Sequence, residues 1–407
     1  MPADVSRPAA SHGPGAPFPV SRDGLVELAG ELIRVPSLSG REGPVARRLA
    51  AALASLGWED VSLDAKNNVI AWLRGPRPGP TLMLNGHIDH APPGLMADPY
   101  GGQEVDGEPY GTPGRVIRGR GAVDMKGALA SMAWSGVALR RAGGPRRGAL
   151  VFVANTFEEV STAEGINEIF LVDGVKADMA VCGEATNLGI YLGHRGMVEV
   201  KVSVVGRTSH ASNPSLGLNA IRLMRLFLET LDEAASGWPT GHFLGDVMVT
   251  PIDISASPGR DAPIVPDRCS LHIDRRFLPG ETPEEIAAQM RELVERTRRR
   301  HPGFRAEVEI LRVFPSLWCP PEEPVVSALK RARRRVLGEA GPLGRWLFGT
   351  DGAFISGFGV PCAGFGPGDE RFAHTPEDHV PVDDLLAAAQ VYAALAADIL
   401  SEGDDPR

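Results

Sequence analysis

Ala149-Leu150-Val151-Phe152-Val153-Ala154-Asn155-Thr156-Phe157-Glu158-Glu159 is a short apolar run that ends in two adjacent carboxylates. Six apolar residues between Gly148 and a polar turn read as a strand buried on both faces. Two carboxylates directly after such a strand are costly unless something compensates their charge. Adjacent residues point in different directions, so one could hold a cation while the other moves protons. A surface turn is the competing reading for the pair taken alone.

Working outward, the preceding segment from Lys126 to Arg141 has helical character and stops at Gly143-Gly144. Further strands are expected at Val69–Leu73, Thr81–Leu84, Met179–Cys182 and Pro361–Phe365. Two helices are expected earlier, around Leu25–Ile33 and Val45–Leu56, the second stopped by Gly57. Strands separated by helices of this length need crossover connections. The expected fold class is therefore α/β, a mostly parallel sheet sandwiched by helices.

The pattern changes near Gly196. Val198, Val200, Val202 and Val204 alternate with Glu199, Lys201 and Ser203, the period of a half-exposed strand. A helix over 218–235, a second alternating strand at Cys269–Phe277 and a strand at Ala306–Val313 follow. Thr282-Pro283-Glu284-Glu285 predicts a capping box with proline at the first helical position, opening a helix to Arg300. These elements make an α+β layer inserted at 196–313. The flanking segments 21–195 and 314–407 form the larger domain, and 1–20 is expected to be a disordered tail rich in Pro, Ala, Ser and Gly.

A chain of 407 residues, 43% apolar, can bury one large core or two ordinary ones. Its net charge of −9 comes from well-mixed acids and bases, which gives no electrostatic reason to expect nucleic acid. The basic run from Lys330 to Arg335 and the cluster Arg298–Arg300 are explained by a solvated helix face and a helix C-terminus. Cys182, Cys269, Cys319 and Cys362 are widely spaced, which argues against a disulfide framework or a thiolate zinc site and fits the cytoplasm. The longest apolar runs are too short for a membrane span, and the N-terminus lacks the apolar region of a secretory signal.

Other acids and histidines also fall where apolar runs end. His87 and Asp89 follow Thr81–Leu84, Glu184 follows Met179–Cys182, and His374 lies in the loop beyond Pro361–Phe365. In an open parallel sheet, ligands gather beyond the carboxyl ends of the strands, so these groups should meet at one edge. His87 and Asp89 are two residues apart and face the same side of an extended chain, so Asp89 can accept the second ring N–H of His87. Asp124 could cap the helix after it, or offer one oxygen to each of two cations. With Glu158 and Glu159, the set matches the needs of a two-metal hydrolase.

These stretches carry a resemblance. Asn85–Asp89, Gly119–Gly127, Thr156–Glu159, Gly183–Thr186, Gly206–Pro214, Asp274–Gly280 and Ala373–Glu377 are similar to the co-catalytic zinc aminoacylase/carboxypeptidase family, which includes acetylornithine deacetylase, succinyl-diaminopimelate desuccinylase and carboxypeptidase G-type enzymes. Asp-Arg-Arg-Phe-Leu-Pro-Gly-Glu-Thr and Gly-Phe-Gly-Pro-Gly-Asp-Glu also look similar to a hydrolase branch linked to selenium and purine-catabolism gene clusters. The resemblance implies a zinc-peptidase-like catalytic domain with an inserted lid and dimerisation domain. It implies two divalent cations, Zn²⁺ with Co²⁺ or Mn²⁺ as alternatives. One would be held by His87, Asp124 and Glu184, the other by Asp124, Glu159 and His374. Glu158 would be the general base, Asp89 would orient His87, and a cis peptide would follow Asp124. His90, where the family usually has a small hydroxylated residue, reads as a substrate contact or, preferably, a tolerated change, and a role for His194 is left open.

From the inserted layer, the resemblance implies an oxyanion contact by His210 and binding of a substrate carboxylate by Arg276. The loop holding Gly366 and Gly368 is expected to offer backbone N–H groups to the same carboxylate. The expected reaction is hydrolysis of an amide in a small carboxylated substrate, either deacylation of an N-acyl amino acid or exopeptidase action, by a homodimer. A catalytically silent metal- or amino-acid-binding relative is the alternative of a different class. A nucleotide-binding protein is set aside, because no glycine-rich phosphate motif follows the first strand.

Overall fold

A computed structural model describes residues 18–259 and 263–401. Most of the expected tail thus lies outside the described residues, but its end was placed too late. Phe18 is 2% exposed and belongs to the core, with the Arg335 guanidinium 4.9 Å from its ring. A phenyl ring with that much apolar surface to bury ties the chain down three residues earlier.

The chain divides into two compact units. One runs to Gly193 and resumes over Trp318–Trp346 and from Thr350 onward, and the other comprises His194–Leu317 with Leu347–Gly349.

In the first unit, an eight-stranded sheet has the order Glu59–Leu63, Val69–Arg74, Ala149–Asn155, Thr81–His87, Met179–Cys182, Cys362–Gly364, Ile190–Tyr191, Leu343–Gly344. The central pairings are parallel: Thr81–His87 with both Ala149–Asn155 and Met179–Cys182, and the last of these with Cys362–Gly364. Val69–Arg74 pairs antiparallel with Ala149–Asn155, and Glu59–Leu63 antiparallel with it in turn. Every residue of Ala149–Asn155 is buried, which explains its unbroken apolar character. Helices Arg22–Ile33, Gly43–Ser55, Gly127–Arg141, Pro324–Leu337 and Val382–Ile399 contribute the rest of the core. The last is apolar on nearly all sides and packs on Gly127–Arg141, where Ser131 Oγ donates to Leu385 O at 2.9 Å.

The basic run at 330–335 only partly matches the solvated face expected of it. Arg331 pairs with Asp398 at 2.6 Å on the surface. Arg333 is buried and donates to the carbonyls of Leu188 at 2.7 Å and Glu339 at 3.1 Å. Its side chain ties down two loop carbonyls that would otherwise need water.

The second unit is a four-stranded antiparallel sheet, ordered Met248–Ser257, Arg268–Phe277, Gly196–Val205, Ala306–Phe314, with helices Ala220–Ala235 and Pro283–Arg300. The alternating valines of Gly196–Val205 are buried against these helices. The capping box forms in both directions: Glu285 N–H donates to Thr282 Oγ1 at 3.2 Å, and Thr282 N–H to Glu285 Oε2 at 2.9 Å. Met248–Ser257 escapes sequence reading because it is an edge strand whose apolar residues Met248, Ile252 and Ile254 are exposed. All four cysteines are free and buried. Among the described residues, no helix is long and apolar enough to cross a membrane.

Candidate metal centre

The parallel register aligns the strand ends. His87 lies beside Asn155, Asn85 beside Cys182, and Cys182 beside Gly364. His87, the Glu158-Glu159 turn, Glu184 and the loop to His374 therefore all leave the sheet at its carboxyl edge. Asp124 comes from the turn before the Gly127–Arg141 helix, makes no helix-capping bond, and precedes a cis peptide to Met125. Buried Asp378 holds this turn by accepting from Gly121 N at 2.7 Å, Val123 N at 3.0 Å and Arg120 at 3.0 Å. It stands four residues after His374 and so links two arms of the site.

Asp124 presents one oxygen to each histidine. Its Oδ1 is 2.9 Å from His87 Nε2 and its Oδ2 is 3.1 Å from His374 Nε2. Glu184 Oε1 lies 3.2 Å from His87 Nε2, and Glu159 Oε2 lies 3.0 Å from His374 Nε2. Ligand-type atoms of His87, Asp124 and Glu159 fall within 4.8 Å of one another, as do those of His87, Glu158 and Glu184. His374 is the open side of the group, with its side chain 55% exposed and φ at +60°.

The electrostatics suit cations. Burial pushes Glu158 well above the usual carboxylate range and Glu184 to about 6, with the neighbouring acids adding to both. Asp124 and Glu159 hold His374 protonated up to about 10. Burial alone would lower His87, yet Asp124, Asp89 and Glu184 together raise it well above its ordinary value. Among the described residues, Glu159 Oε1 is buried without a hydrogen-bond partner. An acceptor stranded among crowded carboxylates and imidazoles is what a divalent cation would satisfy, so this donor set fits two of them.

Asp89 differs in detail from the sequence expectation. His87 Nδ1 lies 3.1 Å from the main-chain carbonyl of Asp89 and 3.4 Å from its carboxylate. The carboxylate instead accepts from Ser39 Oγ at 2.7 Å, Glu158 N at 3.3 Å and Glu159 N at 3.1 Å. It thus orients the acidic turn as much as the imidazole. Asn68 Oδ1 accepts from Thr156 N at 2.9 Å. Asp351, buried and lifted to about 7 by that burial, accepts from the Asn155 amide, whose oxygen accepts from Asn85 at 2.8 Å. Sequence reasoning missed Ser39, Asn68, Asp351 and Asp378; only Asp378, an acid close behind His374, carried a local signal.

The glycine loop requires a correction. Gly366 N–H donates to Thr186 Oγ1 at 3.0 Å and Gly368 N–H to Asp384 Oδ2 at 3.2 Å, so both amides are already used within the chain. Gly366 is needed for packing: a Cβ there would come within 2.2 Å of Gly183 O and 2.3 Å of Glu184 O. His90 is a buried structural residue, with Nε2 accepting from Ser37 N at 2.9 Å and Nδ1 bonded to Ala91 O at 2.8 Å.

In the second unit, Arg276 is held by Asp274 through two bonds of 2.7 and 2.8 Å. Its neighbour Arg275 is buried over Trp238 and pairs with Glu281 at 2.9 Å. His210 is exposed, with Nδ1 2.7 Å from Ser212 Oγ, and His194 Nδ1 bonds Arg195 O at 3.0 Å.

Comparison with known proteins bears on this geometry. The model of peptidase family M20/M25/M40 matches residues 83–398. The uncharacterized protein YgeY of Escherichia coli K12 is 30% identical over 90% of this chain and 92% of its own. Succinyl-diaminopimelate desuccinylase of Gluconacetobacter diazotrophicus is 30% identical over 93% of this chain and 98% of its own. Among solved structures, aminopeptidase PepT of Bacillus cereus superposes with a TM-score of 0.76 at 23% identity, covering 93% of this chain and 99% of that one. A dinuclear metal-binding M20 peptidase of Bacillus subtilis superposes at 0.70 and 19% identity, over 93% and 98% of the two chains. At these identities the structural likenesses speak to the fold alone.

Proposed function

Because this chain belongs to peptidase family M20/M25/M40, we propose that it deacylates a small N-acyl amino acid at a two-metal centre, with Glu158 as the proton-transfer carboxylate. The enzyme is a metal-dependent hydrolase of carbon–nitrogen amide bonds. The observation that carries the finer reading is Asp124, with one oxygen toward His87 and Glu184 and the other toward His374 and Glu159. In this reading His87, Asp124 and Glu184 hold one cation, and Asp124, Glu159 and His374 the second. Zinc suits such mixed imidazole and carboxylate donors, as do cobalt and manganese. When bound, the cations supply Lewis-acid polarisation of the scissile carbonyl and acidify the attacking water.

The chain's own residues do the rest. Glu158 takes a proton from water as its oxygen bonds the acyl carbon, then returns that proton to the leaving nitrogen as the C–N bond breaks. The products are a carboxylate and an amine. Asp89, accepting from the amides of Glu158 and Glu159, keeps the base and the adjacent ligand in register. Deacylation is preferred to exopeptidase action because desuccinylase and deacetylase relatives are 30% and 28% identical to this chain, against 23% for aminopeptidase PepT, whose likeness speaks to the fold alone.

His210 and Arg276 are assigned to the oxyanion and the substrate carboxylate. Alanine at either position is expected to lower kcat/KM at least tenfold with metal content intact. A homodimer through the second unit belongs to the same reading, since the edge strand Met248–Ser257 exposes Met248, Ile252 and Ile254. A cytoplasmic location fits four unpaired thiols.

Glu158→Gln tests the base directly. Turnover is expected to fall by roughly a thousandfold or more with two metal equivalents retained. Near-normal turnover would remove Glu158 from the role. Assaying the native enzyme on N-acyl amino acids and dipeptides in parallel separates the two substrate classes, and a dipeptide preference would overturn deacylation.

A further inference from the structure

Glu42 stands at the N-terminal cap position of the Gly43–Ser55 helix, yet its side chain makes no capping bond. A carboxylate in that position ordinarily accepts from the first free N–H groups of its own helix. Glu42 is instead 2% exposed and reaches a segment 115 residues away, accepting from Phe157 N at 3.3 Å. Its carboxylate is therefore directed away from its own helix and onto the amide of Phe157.

Its partner is an unusual residue. Phe157 has φ at +63°, in the left-handed region that side chains with a Cβ rarely adopt, and it immediately precedes Glu158. Such a conformation persists only where the surroundings over-determine it. Here they do, since four consecutive amides each meet a buried side-chain acceptor. Thr156 N meets Asn68, Phe157 N meets Glu42, and Glu158 N and Glu159 N meet the two oxygens of Asp89. Asn68 and Asp89 secure the ends of this turn, and Glu42 secures the residue whose backbone sets the direction of Glu158.

We infer that Glu42 is a positioning residue for the reaction, holding Phe157 in its left-handed conformation so that Glu158 faces the metal centre. The inference rests on Glu158 being the proton-transfer group. Reach matters more than charge, because the carboxyl oxygen works only as an acceptor. Glutamine keeps that reach and loses the charge, whereas aspartate keeps the charge and is one methylene too short.

Glu42→Gln and Glu42→Asp are compared with the native enzyme and with Glu158→Gln, reading kcat, KM, metal stoichiometry and hydrogen–deuterium exchange of residues 156–159 in metal-free and metal-loaded protein. Glu42→Gln is expected to stay within threefold of native kcat. Glu42→Asp is expected to lose at least tenfold in kcat with KM within twofold and two metals bound, and to exchange faster at 156–159 whether or not metal is present. Native kcat and native exchange in Glu42→Asp, beside an inactive Glu158→Gln, would overturn the role of Glu42 and leave the base in place. Equal losses in Gln and Asp would overturn reach as the cause. An active Glu158→Gln would overturn the underlying reading whatever Glu42 does.

Discussion

His90 shows how a histidine beside a metal centre can be purely structural. Its two ring nitrogens are used by Ser37 N and Ala91 O, so the neutral ring fills its site completely. Burial, with Lys126 and Arg120 nearby, lowers it to about 4, while Asp89 acts weakly in the other direction. The unfolded chain protonates this ring near its ordinary value and the folded chain resists until about 4. The stability contributed by neutral His90 is thus complete above about 6.5 and is lost as pH falls from there toward 4. The loss amounts to about 2 kcal/mol after allowing for partial solvent screening. Denaturant titrations of native protein and His90→Gln should show a stability gap that shrinks by that amount between pH 7 and pH 4.5. A gap independent of pH would mean that the folded chain protonates this ring as readily as the unfolded chain does.

At the scale of elements, the site depends on strands that stop in register. Glu184 is placed by the end of Met179–Cys182, and the neighbouring Cys362–Gly364 strand runs on into Gly366, packed against the carbonyls of Gly183 and Glu184. Those neighbours are backbone atoms and cannot swing aside, so Gly366→Ala must displace the Glu184 segment. The variant is expected to bind metal at least tenfold more weakly at the His87–Glu184 side and to retain the Glu159–His374 side, giving close to one tight equivalent in a metal titration. Two equivalents of native affinity would show that the strand ends tolerate the shift. The acids at the ends of apolar runs were legible in sequence because burial and charge conflict locally, within a few residues. Glu42 and Asn68 were not, because each acts on an amide 115 or 88 residues away and no local pattern marks it; Asp378, close behind His374 in sequence, acts on an amide 255 residues away, so its place was marked but its role was not. The edge strand Met248–Ser257 was missed for a related reason: Met248, Ile252 and Ile254 are exposed while only Val249 and Ala256 pack inward, so its apolar residues mark no single face.

For the whole molecule, the layer of Ala149–Asn155 and its parallel neighbours converts a linear scatter of acids and histidines into one cluster. Burial without metal is expensive for that cluster, since Glu158, Glu184 and Asp351 are all driven toward their protonated forms. In the proposed reading, two cations shared through Asp124 would relieve that cost and supply the chemistry expected of the family. The fold and the ligand-bearing strand ends follow from periodicity and from the position of charge, whereas the supporting hydrogen bonds exist only once distant segments pack. The most direct test is crystallography of the zinc-soaked enzyme with anomalous scattering recorded on both sides of the zinc edge. Two zinc peaks flanking Asp124, one bonded to His87 and Glu184 and the other to His374 and Glu159, are predicted. A single peak, or peaks that leave Asp124 unbridged, would contradict the two-metal centre.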